Sequence, residues 1–134
     1  MENAPRVRAF RDEDAEAVRD LFVRVNRLLS PPDLADAFEA YIERSLREEI
    51  DRIADYYRDH NGSFFVAESA GEIVGMFGLE TAGPDAMELR RMYVDSAARG
   101  RGTGRALLAH AENQTRCAGK ERLILSTSEV QSAA

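Results

Sequence analysis

The stretch RGRGTGRALLAH, residues 99–110, decides the fold. It packs three glycines and three arginines into its first seven residues and then runs directly into alanine and leucine. Glycine costs a helix interior about 1 kcal/mol relative to alanine, and neighbouring like charges repel. Both are tolerable at a helix start if their partner is not protein. The unpaired N–H groups of a first helical turn, the positive end of the helix dipole and the absence of side chains together cradle phosphate. Arg99, Arg101 and Arg105 add the charge that suits a pyrophosphate. The competing reading is a glycine-rich corner between a strand and a helix, with no ligand.

Spacing separates three nucleotide-binding motifs. A Walker loop needs Gly-Lys-Ser/Thr, but Gly104 is followed by Arg105 and Ala106. A dinucleotide fingerprint needs G-x-G-x-x-G in a first βαβ unit, whereas Gly100-Arg101-Gly102-Thr103-Gly104 has other spacing and comes late in the chain. The pattern that fits is Arg-x-x-Gly-x-Gly after a strand ending in Tyr93-Val94-Asp95.

That strand, MELRRMYV (87–94), carries an irregularity of its own. Its apolar positions are Met87 and Leu89, then Met92 and Val94, so the phase changes across Arg90-Arg91. A regular strand has period two and cannot do this, which predicts a β-bulge near Arg90–Arg91.

Working outward, Arg6–Phe10 alternates as a short strand. Asp12 or Asp14 is placed to cap a helix through Asn26, whose Val18, Leu21, Phe22 and Val25 share one face. Ser30-Pro31-Pro32-Asp33 stops it and starts a second helical stretch, Leu34–His60, with Phe38, Ile42, Leu46, Ile50, Ile53 and Tyr57 on its apolar side. SFFVAES (63–69) and EIVGMFGLE (72–80) read as a hairpin around Ala70-Gly71. Thr103–Cys117 is helical and RLILST (122–127) is a last strand. The order is strand, two helices, three strands, helix, strand: an α+β (mixed α/β) chain with a largely antiparallel central sheet.

The totals agree with one globular domain spanning 1–134: 134 residues, 44% hydrophobic, 31% charged. A formal charge of −6 argues against nucleic acid as a partner. No apolar run is long enough to span a bilayer and the N-terminus lacks a signal core, so no membrane partner and a cytoplasmic location are expected. Cys117 is the sole cysteine and reads as a buried or half-buried thiol. His60 suits a helix C-terminus, and His110 reads as a surface residue. No metal is expected.

With these residues in hand, ELRRMYVDSAARGRGTGRALL (88–108) resembles the acetyl-CoA motif of the GNAT N-acetyltransferase superfamily, and the upstream element order is similar too. The resemblance implies a GNAT-like acyl-CoA N-acyltransferase fold and acetyl-CoA as cosubstrate. It also implies that the bulged strand offers backbone groups at Met92, Tyr93 and Val94 to the pantetheine arm. Arg99, Gly100, Arg101, Gly102, Thr103, Gly104 and Arg105 would hold the pyrophosphate.

The implied reaction is acetyl transfer to a primary amine of a small molecule or peptide. Glu88 is the candidate base, directly or through water; it reads equally as a strand-end carboxylate paired with Arg90. Asp33, Asp36, Glu39 and Glu43 lean toward a cationic acceptor, and solubility explains them as well. Similar enzymes commonly carry a tyrosine acid on a helix after the last strand matched here. The sequence ends at Ala134, where that helix would begin, so relative to the family it is expected to lack about 20–25 C-terminal residues at average element lengths. Tyr41, Tyr56, Tyr57 and Tyr93 do not match the acid's position. A catalytically impaired CoA-binding or interaction domain is therefore the alternative. The apolar last strand also suggests a homodimer, joined near Leu123–Thr127, that completes the sheet; a shortened gene product or fragment accounts for the same ending.

Overall fold

A computed structural model describes residues 5–98 and 100–125. Strands β1 (Arg6–Ala9), β2 (Ser63–Ser69), β3 (Glu72–Thr81), β4 (Ala86–Val94) and β5 (Arg122–Leu125) form one sheet in that order. The first three pairings are antiparallel and β4–β5 is parallel, joined through helix α4 (Thr103–Cys117). Helices α1 (Ala15–Leu29), α2 (Ala35–Glu48) and α3 (Ile53–Asp59) precede β2. None of the helices described is long and apolar enough to cross a membrane.

Helices cover both faces, which is why the central strands are apolar on both sides. Phe64, Val66, Met76 and Tyr93 pack against Val18, Leu21, Phe22 and Val25 of α1, with Ile42, Ile53 and Tyr57. Phe65, Ala67, Phe77, Leu79, Met87 and Leu89 pack against Leu107 and Ala111 of α4. The hairpin at Ala70-Gly71 has φ of 52° and 82°, the left-handed pair that matches strand twist.

Four details depart from the sequence reading. The second helical stretch is not continuous: Glu49 and Arg52 leave helical geometry, and Ile50–Arg52 forms a 3-10 turn between α2 and α3. Ile50 and Ile53 are three residues apart, a spacing that a 3-10 turn satisfies as well as an α-helix. Asp14 caps nothing ahead of it. Its carboxylate reaches back to the Arg11 N–H (2.8 Å) and to Arg8 (2.8 and 2.9 Å), while Arg8 also binds Glu68 (3.0 Å). Cys117 is exposed, although Thr115 in the same turn of α4 is buried. His110 is half-buried with its ring edge-on to Phe65 at 4.8 Å, and burial pushes its pKa down.

Tyr57 lies across Gly78 of β3, where a side chain would overlap its hydroxyl and ring. Tyr57 is only 2% exposed, so the ring has little room to lift. Gly78→Ala is expected to lower stability by about 1–3 kcal/mol, read as a reduced urea midpoint at unchanged slope.

Candidate functional site

The site is organised around one extra residue in β4. Gly78 pairs with Arg90 and Met76 with Tyr93, so Phe77 alone faces Arg91 and Met92. This two-against-one pairing is a β-bulge, located where the phase change predicts it. Arg91 takes a φ of 55°, left-handed for a non-glycine residue. Met87, Leu89, Met92 and Val94 consequently all pack on the α4 side. Arg90 and Arg91 both turn toward the opposite, helical layer, where they meet Glu49 and Tyr41. The described β4–β5 ladder joins Ala86–Leu89 to Arg122–Leu125; Ser126 and Thr127 lie outside the described residues.

After β4 the chain turns under tight control. The Asp95 N–H donates to the Val74 carbonyl at 2.8 Å, and its carboxylate accepts from the Ala97 N–H (3.2 Å) and Arg24 (2.9 Å). Arg99 lies outside the described residues. Gly100 and Gly102 adopt φ of 81° and 79°, and Gly102 is the N-cap of α4 without a side-chain cap. Thr103 is buried, while Arg101 and Arg105 are exposed. Neither arginine is ion-paired among the described residues.

Gly104 joins this loop to the bulged strand. A β-carbon there would sit 3.8 Å from Met92 Cε and 3.9 Å from Val94 Cγ2. The start of α4, with its uncapped N–H groups, therefore adjoins the second half of β4. Tyr93 differs from its neighbours because its side chain is buried in the other core, where burial pushes its hydroxyl up to about 12. Its contribution to the α4 side is confined to backbone.

The helical side holds a charged cluster that the sequence reading missed. Glu49, 2% exposed, accepts from Arg90 Nη2 (2.6 Å), Arg91 Nη2 (3.1 Å) and the Tyr57 hydroxyl (2.6 Å). Arg90 Nε also lies 3.2 Å from Glu80 Oε1, and the Tyr56 hydroxyl donates to Glu80 at 3.3 Å. Burial pushes the Tyr56 hydroxyl up to about 12. The signal available was a glutamate on a buried stripe, since Ile42, Ser45 and Glu49 are spaced for one helix face.

Glu88 is half-buried and stands directly opposite Glu80 across the β3–β4 ladder. Arg90 is taken by Glu49 and Glu80, so the alternative pairing of Glu88 with Arg90 is not formed. Asp33, Asp36, Glu39 and Glu43 are exposed, with Glu39 bound to Arg27 at 2.9 Å. His60 caps α3, its Nδ1 2.7 Å from the Tyr56 carbonyl oxygen. Among the described residues, no group of three or more His, Cys, Asp or Glu is arranged to hold a metal. The strand thus separates an uncapped, arginine-flanked helix start on one side from a carboxylate-rich surface on the other.

Residues 22–134 match the model of the Acetyltransferase (GNAT) family. The chain is 33% identical over 102 residues to a mouse protein named probable N-acetyltransferase family 8 member 5, covering 72% of this chain and 45% of that one. It is 33% identical over 97 residues to zebrafish N-acetylaspartate synthetase, covering 71% and 34% respectively. The chain therefore spans less than half the length of these relatives. In three dimensions it is similar to the PaiA N-acetyltransferase of Thermoplasma acidophilum, solved with coenzyme A: TM-score 0.77, 17% identity, 98% of this chain and 84% of that one.

Burial pushes the Glu49 carboxyl up, but Arg91 beside it, hydrogen bonds from Arg91 and Tyr57, and the charge of Arg90 outweigh that and hold it below its ordinary 4.5. A depressed folded-state value means that this group stabilises fully above 4.5 and loses its contribution as pH falls through the lower value. Carbon NMR of the Glu49 carboxyl is expected to titrate below 4.5, with the urea midpoint falling in the same acid range. A titration above 4.5 would show that desolvation dominates instead.

Proposed function

The chain belongs to the GNAT acetyltransferase family, and from that premise we propose that it transfers the acetyl group of acetyl-CoA to a primary amine of a small molecule or peptide. The observation that carries this reading is the convergence at Gly104 of an uncapped, arginine-flanked helix start with the bulged half of β4.

Acetyl-CoA supplies an activated thioester carbonyl. The N–H groups at Gly102–Arg105, with Arg101 and Arg105 beside them, suit its pyrophosphate; Arg99 is proposed to join them. The peptide groups of Met92, Tyr93 and Val94 lead away from that cradle along β4 and suit the pantetheine arm. A backbone N–H beyond the bulge stabilises the charge that develops on the carbonyl oxygen. An amine approaching from the helical side meets Glu88, whose cross-strand neighbour Glu80 is already answered by Arg90 and Tyr56, so among the described residues Glu88 is the carboxylate left to attract an ammonium. Glu88 takes the proton as the amine nitrogen bonds to the acetyl carbonyl carbon, and the C–S bond breaks to release the CoA thiolate, which is protonated from water. Glu88 lies four residues before Met92, about 13 Å along the strand, so its proton transfer runs through water.

One family of relatives, by name, makes N-acetylaspartate, whose amine belongs to an amino acid. Amino-acid amines therefore head the acceptors to assay.

Calorimetry is expected to show CoA and acetyl-CoA binding, and Gly102→Val to weaken it at least about tenfold: no protein atom crowds a β-carbon there, but at a φ of 79° a branched residue is strained, so the loop shifts and its N–H groups lose the phosphate. Thiol release with a panel of amines is expected in the wild type and to fall about 10²-fold in kcat for Glu88→Gln. Binding without thiol release would instead support a CoA-binding or interaction domain. No CoA binding, or normal binding by Gly102→Val, would overturn the reading.

A further inference from the structure

We infer that Glu49 is a positioning residue for acetyl transfer: from the break between α2 and α3 it clamps Arg90 and Arg91 and so holds the β4 bulge that aims backbone groups at the acetyl carbonyl. The inference rests on the proposed transfer reaction and deepens it.

The first support is strain. A non-glycine residue with φ of 55° persists only where its surroundings impose it, and Arg91 is such a residue at the bulge itself. Its guanidinium is held through its terminal nitrogens and its faces, while Nε is buried without a hydrogen-bond partner among the described residues. The guanidinium lies over the rings of Phe22 (5.6 Å) and Tyr41 (5.7 Å), donates to the Tyr41 hydroxyl, and binds Glu49 Oε1 at 3.1 Å.

The second is that one carboxylate grips both strands. Oε1 of Glu49 receives Arg90 as well as Arg91, and Oε2 receives Tyr57, whose ring covers Gly78. Gly78 is the β3 residue paired with Arg90, where the register shift begins. Shifting β4 by one residue would remove both arginines from Glu49 together.

The third is cost. A buried carboxylate between two largely buried arginines gains little over apolar residues of the same volume, because desolvation offsets the attraction. The helical stretch is nonetheless interrupted at Glu49, φ −139°, to place the carboxylate there. What the network specifies is the register of β4. That register sends Met92 and Val94 to the α4 side, beside the helix start. The pyrophosphate cradle lies outside the clamp. Loss of Glu49 should therefore affect the reacting carbonyl more than cosubstrate binding, lowering kcat and sparing KM.

The test compares wild type, Glu49→Gln, Glu49→Asp and the charge-balanced Glu49→Gln/Arg91→Met, with thermal unfolding run on each. Glu49→Gln is expected to lose at least about 30-fold in kcat with KM for acetyl-CoA within about threefold. Amide hydrogen exchange at residues 91–94 should quicken at least about tenfold more than in α4. Glu49→Asp should recover most of both. If Glu49→Gln fails to fold, the double variant carries the comparison, folded and as slow. A folded Gln variant with kcat within about threefold of wild type, a defect confined to KM, or exchange quickened uniformly across the chain overturns the inference. So does failure of both Gln variants to fold, which would assign Glu49 to the core alone. Hydrogen exchange needs no turnover. A wild type that releases no thiol would therefore sink the transfer reading, while the exchange comparison still decides whether Glu49 holds the bulge.

Discussion

One residue too many in β4 governs this structure. Placing Arg91 and Met92 opposite Phe77 turns two consecutive arginines toward the same layer and reverses the phase of everything after them. Without that shift, Met92 and Val94 would face the α1–α3 core and the start of α4 would have no strand to adjoin. The helical layer is organised around the same event. Glu49, just before the 3-10 turn at Ile50–Arg52, binds the arginines of the bulge, and Tyr57, bound to the same carboxylate, covers Gly78.

Two groups of arginines contrast in environment. Arg8, Arg90 and Arg91 are largely buried and answered by carboxylates, with Glu49 and Asp14 held in their ionised forms by those partners. Arg101 and Arg105 stand exposed beside a helix start that already carries positive partial charge, with no carboxylate to answer them among the described residues. The overall charge of −6 conceals this contrast. A polyanion is attracted to a local field that the net charge of the chain does not describe.

Much of this is legible in the amino-acid sequence. The glycine positions at 100 and 102 anticipate two left-handed residues at a helix start, and the apolar phase of Met87, Leu89, Met92 and Val94 locates the bulge to within a residue. These signals are local. Each depends on backbone conformation or on the two-residue period of a strand, and both are written in consecutive letters. The hairpin at Ala70-Gly71 was legible for the same reason.

What stayed hidden joins residues far apart in the chain. Glu49 and Arg91 are separated by 42 positions, and Tyr41 and Arg91 by 50. A glutamate in a charged amphipathic stretch looks solvated until the sheet is placed beneath it, and Arg90 looks like the neighbour of Glu88 until Glu80 and Glu49 claim it. By itself the sequence determined the order of strands along the chain, the bulge and the glycine-rich corner before α4, because local sterics and periodicity dictate each. Only the tertiary structure decided which charges are buried and which carboxylate answers which arginine. Burial and ion pairing are set by what a second layer of the fold brings within about 3 Å, and no local pattern encodes that distance.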